Sequence, residues 1–396
     1  MKEVCIGMAG AGRATELHLE ALKRFNGIPY RLKRIVARRS EQVNLAKERY
    51  GFEYASVDFE DLLNDDEIDV IDICTPPYLH SDMVKRALLA GKHVICEKPL
   101  TGYFGEQGDI HPIGDNVSKE KMYKSLLTSI NEIKEILKHT DRKFLYAENF
   151  IYAPAIRKAA EIITKKKSRI LFAKGEESLK GSSSSVAGEW EKTGGGTFIR
   201  TGSHPLSAIL WLKQQEAKAI GKKIYVKSIM ADMGRITSTL DEYAHRHIAA
   251  HPNDVEDAGT VILTFSDESR AIIIATDTLL GGSKNYVELY CNDAAINCNL
   301  TMSNMMQTYF LDEDRLYDVY ISEMLPSKTG WNNPFLEDEI MRGYVDEMRD
   351  FMHAIFYDHE PQSGFELAYE TIKITYLAYL SAELGKKINL DNEIYC

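Results

Sequence analysis

The chain has 396 residues, 44% of them apolar, and a net charge of -11. That length exceeds the roughly 250–300 residues at which one hydrophobic core divides, so two domains are expected, and an acidic chain with only short basic runs excludes a nucleic-acid or anionic-membrane surface. No apolar run reaches the length of a bilayer span, no signal-peptide pattern is visible, and six cysteines without a Cys-x-x-Cys pair read as reduced thiols of a cytoplasmic protein with no disulfide framework and no metal site.

Taken in chain order, the first third alternates β-rich runs with amphipathic helices, the pattern of βαβ units in a parallel sheet. Val4–Ala9 reads as the first strand. Ala14, Leu17, His18, Ala21, Leu22 and Phe25 then recur at helical spacing and give a helix with one apolar face. Leu32–Ala37 is the second strand, before a helix that Ser40 caps and Gly51 ends. Val70–Cys74 and His93–Cys96 suit central parallel strands, and Phe144–Ala147 makes a sixth. Between the fifth and sixth strands, Thr101–Val117 is polar, rich in glycine and too long for an ordinary connection, which predicts a functional loop.

Beyond residue 150 the texture changes. Ile224, Val226, Ser228 and Met230 alternate onto one face, and Thr260–Phe265 and Ala271–Ala275 form a hairpin, so an antiparallel sheet is expected. Gly181–Ser185 reads as a flexible loop, and Tyr344–Ile355 and Leu367–Leu380 as two late helices. The expected fold is α/β. Residues 1–148 form a doubly wound parallel sheet, and 149–396 an α+β domain with a large, mainly antiparallel sheet whose last helices pack back on the first domain.

Gly10-Ala11-Gly12-Arg13-Ala14-Thr15 follows a strand and opens a helix, the context that gives a dinucleotide fingerprint its meaning. Gly10 and Gly12 let the backbone turn tightly and approach a pyrophosphate, which the helix N-terminus stabilises. Thr15 stands where a third glycine is usual. The second strand ends in Ala37-Arg38-Arg39-Ser40. Two guanidiniums suit a 2′-phosphate better than a diol, which favours NADP over NAD as the cofactor.

Three further segments complete a pattern: Ile73-Cys74-Thr75-Pro76-Pro77-Tyr78-Leu79-His80, Cys96-Glu97-Lys98-Pro99, and Gly194-Gly195-Gly196-Thr197-Phe198-Ile199-Arg200-Thr201-Gly202-Ser203-His204. In order and spacing they resemble the glucose-fructose oxidoreductase and inositol dehydrogenase family, Gfo/Idh/MocA. The resemblance implies a Rossmann domain and an NAD(P)-dependent oxidoreductase acting on a hydroxyl of a sugar, polyol or glycoside, C3 of glycosides included. It implies that Thr75 and Pro76 line the nucleotide with His80 near its ribose, that Lys98 hydrogen-bonds cofactor and substrate, and that Glu97 orients it. His204 matches the family's catalytic histidine, and hydride loss from an alcohol needs such a base for the proton. Glu148, Asn149 and Tyr152 resemble contacts to substrate hydroxyls, and Trp190 offers a face for stacking on a sugar. Arg200 departs from the pattern, where an Asp is common; it suits a carboxylate, an oxyanion or several hydroxyls. Two other activities stay open: redox-assisted glycoside cleavage with bound NAD, and non-catalytic nucleotide sensing. A homo-oligomer, dimer or tetramer, is expected from the antiparallel sheet.

Overall fold

The computed structural model describes residues 3–301, 306–321, 327–334 and 337–390. The first sheet has six strands, β1 Val4–Ala9, β2 Tyr30–Val36, β3 Tyr54–Ser56, β4 Val70–Ile73, β5 His93–Glu97 and β6 Phe144–Ala147, in the order β3-β2-β1-β4-β5-β6. Every pairing is parallel. β1 and β4 are buried along their whole length, as expected of strands covered on both faces. The main helices between them are α1 Arg13–Arg24, α2 Ser40–Tyr50, α3 His80–Leu89 and α4 Lys119–Lys138. Strand order reverses between β1 and β4, so the crevice at their carboxyl ends is the natural ligand position of this topology.

After α5 Pro154–Lys166, seven strands build the second sheet: β7 Ile170–Ser178, β8 Val226–Gly234, β9 Ala258–Phe265, β10 Arg270–Thr276, β11 Lys284–Cys291, β12 Ala295–Asn299 and, after a small hairpin of β13 Thr308–Phe310 with β14 Gly330–Asn332, β15 Ile388–Asn389. Their order is β12-β11-β7-β10-β9-β8-β15, antiparallel throughout except for the parallel pair β7 and β10. One face buries Ala271, Ile273 and Ala275 and is covered by α6 Ser203–Ile220. Two late helices return to the first sheet. α7 Tyr344–Phe356 lies on α1, and α8 Phe365–Leu384 lies on α4 and β6.

Some expectations shift. Ser40 is the first residue of α2, and Arg39 takes the capping position without a side-chain cap bond. Met230 is half exposed, because a register shift between Val226 and Ser228 puts Ile229 on the buried face in its place. The three-residue β3 at the sheet edge is the one of the six strands for which the sequence pattern offered no segment. Residues 101–117 pack closely: Thr101, Tyr103, Ile113 and Val117 are buried, and Gly114 N–H donates to Asp254 Oδ2 at 2.9 Å. The five cysteines among the described residues are free thiols, and Cys396 lies outside those residues.

Candidate active site

The site is assembled from the loops that leave β1, β4, β5 and β6. Gly10 has φ of +117°, and a Cβ there would lie 2.4 Å from the Cys74 carbonyl oxygen, so the turn after β1 admits only glycine. At Gly12 the reverse holds: a Cβ would meet nothing within 4 Å. The backbone therefore faces open space at the N-terminus of α1. Thr15 is buried, and the contact between α1 and the sheet accommodates its branched side chain. Ala11 is half-buried, while Arg13, Arg38 and Arg39 are exposed around the opening; Arg13 pairs with Glu16 at 3.2 Å, and Arg39 donates to Gln42 at 3.0 Å.

Lys98 follows β5, and its ammonium donates to the backbone carbonyl of Arg200, one turn before His204. His204, at the start of α6, lies with Nδ1 2.7 Å from Glu148 Oε1 at the end of β6. A carboxylate can only accept, so this contact keeps the proton on Nδ1 and leaves Nε2 as the lone-pair nitrogen. The Phe150 ring stacks on the imidazole with centroids 4.6 Å apart and planes 16° off parallel. Glu148 is fully buried, and its Oε2 has no hydrogen-bond partner among the described residues.

Beneath Lys98 runs a buried charged network. Glu97 Oε2 accepts the Lys98 N–H at 2.9 Å, and Glu97 Oε1 lies 3.2 Å from His18 Nε2. On its other side His18 Nδ1 lies 2.9 Å from Asp72 Oδ2 and 3.4 Å from Cys74 Sγ. Burial alone pushes the His18 pKa down, yet Asp72 and Cys74 outweigh it and hold the imidazole well above its ordinary value. Burial likewise pushes Glu97 up, and His18, Lys98 and His204 together keep it below the usual carboxylate range. Glu347 on α7 is buried with neither oxygen partnered among the described residues, and desolvation drives its pKa well up. In the sequence, His18 falls on the apolar face of a helix. The signal for its role was Asp72, an acid inside the run Val70–Ile73, which must find a partner once buried.

Residues 4–110 match the family model described as "Oxidoreductase family, NAD-binding Rossmann fold", and residues 169–297 match the "GFO/IDH/MocA C-terminal domain". The chain belongs to the Gfo/Idh/MocA family. Among curated relatives, levoglucosan dehydrogenase of Pseudarthrobacter phenanthrenivorans is 36% identical over 107 residues, 25% of this chain and 27% of that protein. Myo-inositol 2-dehydrogenase of Thermotoga maritima is 35% identical over 97 residues, 24% of this chain and 28% of that protein. The chain thus matches under a third of the length of these relatives. Among solved structures, GenD2 from gentamicin A biosynthesis in complex with NAD superposes with a TM-score of 0.75 at 19% identity, covering 98% of this chain and 97% of that one. Levoglucosan dehydrogenase in complex with NADH and L-sorbose gives 0.71 at 19% identity, covering 98% and 99%. At these identities the structures establish the fold.

Within this Gfo/Idh/MocA chain several side chains sit differently from expectation. The His80 ring is buried, with Nδ1 2.7 Å from the Pro99 carbonyl and Nε2 2.7 Å from the Thr75 carbonyl, so a neutral ring donates to one of the two loops at a time and is wedged between them, away from a ribose. Burial pushes its pKa down. Thr75 and Pro76 stay accessible on the turn that His80 holds. Tyr152 is fully buried and donates to Asp350 Oδ2 at 2.7 Å, a link from the end of β6 to α7. Trp190 is 2% exposed and packs against Tyr376 and Tyr379, which leaves no ring face for a sugar. Glu148 meets His204, and the Arg200 guanidinium is already paired with Asp277 at the end of β10. The glycine turn before Arg200 is pinned by Glu256, whose carboxylate accepts from Gly196 N–H at 2.8 Å and Phe198 N–H at 2.9 Å. The open backbone at Gly12, the N-terminus of α1 and the accessible Thr75–Pro76 turn fit a dinucleotide diphosphate.

Proposed function

We propose that this protein is an NAD(P)-dependent dehydrogenase that oxidises a CH–OH carbon of a sugar, polyol or glycoside. The observation that carries this reading is the His204–Glu148 pair: a ring with one nitrogen fixed as donor and the other free as acceptor, beside the Lys98 loop. Residues 1–148 hold the nucleotide through Gly10, Ala11, Gly12, Arg13, Thr75 and Pro76, and residues 149–396 hold the substrate. A nicotinamide held by these residues would supply the acceptor for the hydride. His204 Nε2 removes the hydroxyl proton, Glu148 keeps the ring in the required tautomer, and Lys98 donates to the substrate oxygen and stabilises the negative charge that develops there.

Arg38 and Arg39, exposed beyond β2, support NADP over NAD. Free thiols fit a reducing, cytoplasmic setting, and no helix among the described residues is long and apolar enough to cross a membrane. The exposed outer face of the second sheet supports a homo-oligomer.

The test is reduction of NAD+ and NADP+, followed at 340 nm, over a panel of sugars, polyols and glycosides. His204→Asn should lower kcat by about 10²–10⁴-fold, the usual contribution of a general base, with nucleotide affinity unchanged. Full activity in that variant would overturn the assignment.

A further inference from the structure

The Arg200 side chain lines a cleft open to solvent together with Ser182, Ser183, His251, Glu256, Asp257 and Asp277. An isolated arginine there would make an anion site. This one is not isolated. Its Nη2 is paired with Asp277, a carboxylate only 2% exposed that also accepts from Thr197 Oγ1 at 3.1 Å. Asp257, on the same wall, accepts from Ile236 N–H at 2.7 Å and Thr237 N–H at 2.9 Å. One guanidinium therefore stands against three carboxyl groups, those of Glu256, Asp257 and Asp277, and an entering sugar acid meets either a competitor for Arg200 or like charge. Arg200 Nε is buried with no partner among the described residues. A hydroxyl both accepts and donates, and can take a hydrogen bond from Arg200 while giving one to Asp277 or a serine.

Resting on the dehydrogenase reading above, we propose that this cleft receives a neutral polyhydroxylated ring, and that Asp277, by neutralising Arg200, determines specificity against carboxylate-bearing sugars. The departure from the usual Asp at position 200 is then a relocation: the acid is supplied from the end of β10, with an arginine placed between it and the site.

The test is calorimetric binding to protein saturated with reduced nucleotide, using glucose, galactose and mannose and their three uronic acids, with turnover of the same six compounds measured separately. In the unmodified protein at least one neutral sugar should bind at least tenfold more tightly than its uronate. Asp277→Asn should narrow that ratio at least tenfold, chiefly by improved uronate binding, and Arg200→Gln should weaken the neutral sugar. Asp277→Ser serves as the second variant if the amide does not fold. Equal or tighter uronate binding by the unmodified protein, an unchanged ratio in both Asp277 variants, or no binding of any of the six would overturn the inference. Neutral-sugar binding with no turnover of any compound would overturn the dehydrogenase reading and leave the charge selectivity standing.

Discussion

The His204–Glu148 contact joins two residues 56 positions apart and depends on an acceptor that cannot donate. Glu148→Gln offers the ring an amide that can present either an oxygen or an N–H, so the tautomer is no longer held. We expect kcat to fall about 10–100-fold, at or below the lower limit of a general base's contribution, with nucleotide Kd unchanged; steady-state kinetics and fluorescence titration separate the two, and lost nucleotide binding would place the effect elsewhere. His18 gives a pH prediction. Its pKa is raised in the folded protein, so the stability it contributes is fully present below about 6.5, the unfolded value, and is lost as pH climbs through the folded value. The unfolding free energy of His18→Gln from urea titration should therefore trail that of the unmodified protein most at pH 5–6, by about 3 kcal/mol as for a broken buried pair, with the gap closing at alkaline pH. A gap constant from pH 5 to 10 would show that the ring stays neutral.

The element best defined by sequence was the turn after β1, because its chemistry is local: two glycines, a strand before and a helix after. The two glycines do different work, and that separates their variants. Gly10→Ala drives a methyl into the Cys74 carbonyl from a positive φ, so it should cost more than about 1 kcal/mol and lower the melting temperature. Gly12→Ala meets no atom; it should melt within a degree or two of the unmodified protein and still bind dinucleotide at least tenfold more weakly, since its methyl occupies the space next to α1. Equal NADH affinity for Gly12→Ala would place the diphosphate elsewhere. What the sequence did not display was set by distant contacts. Met230 left its expected face because one register shift in β8 reverses every later side chain. Trp190 and Tyr152 have the chemistry of sugar contacts, yet residues of α8 and α7, 186 and 198 positions away, bury them. Asp277, at the end of a plainly legible strand, gave no local hint that Arg200 would claim it.

At the scale of the molecule, the outer face of the second sheet exposes Leu171, Met230, Ile262 and Tyr290. Light scattering should report a dimer or tetramer, and Leu171→Lys with Met230→Lys should shift the mass toward the monomer; an unmodified protein monomeric at all concentrations would remove the oligomer from the reading. The return of the last helices reaches further. Tyr146 N–H donates to the Ser363 carbonyl at 2.9 Å, Tyr152 OH donates to Asp350, and α7 covers α1. The half that reads the nucleotide is thus discontinuous along the gene. A graft meant to exchange cofactor preference has to carry residues 344–384 together with the N-terminal segment, because a splice at the visible boundary alone leaves α1 and β6 without their cover.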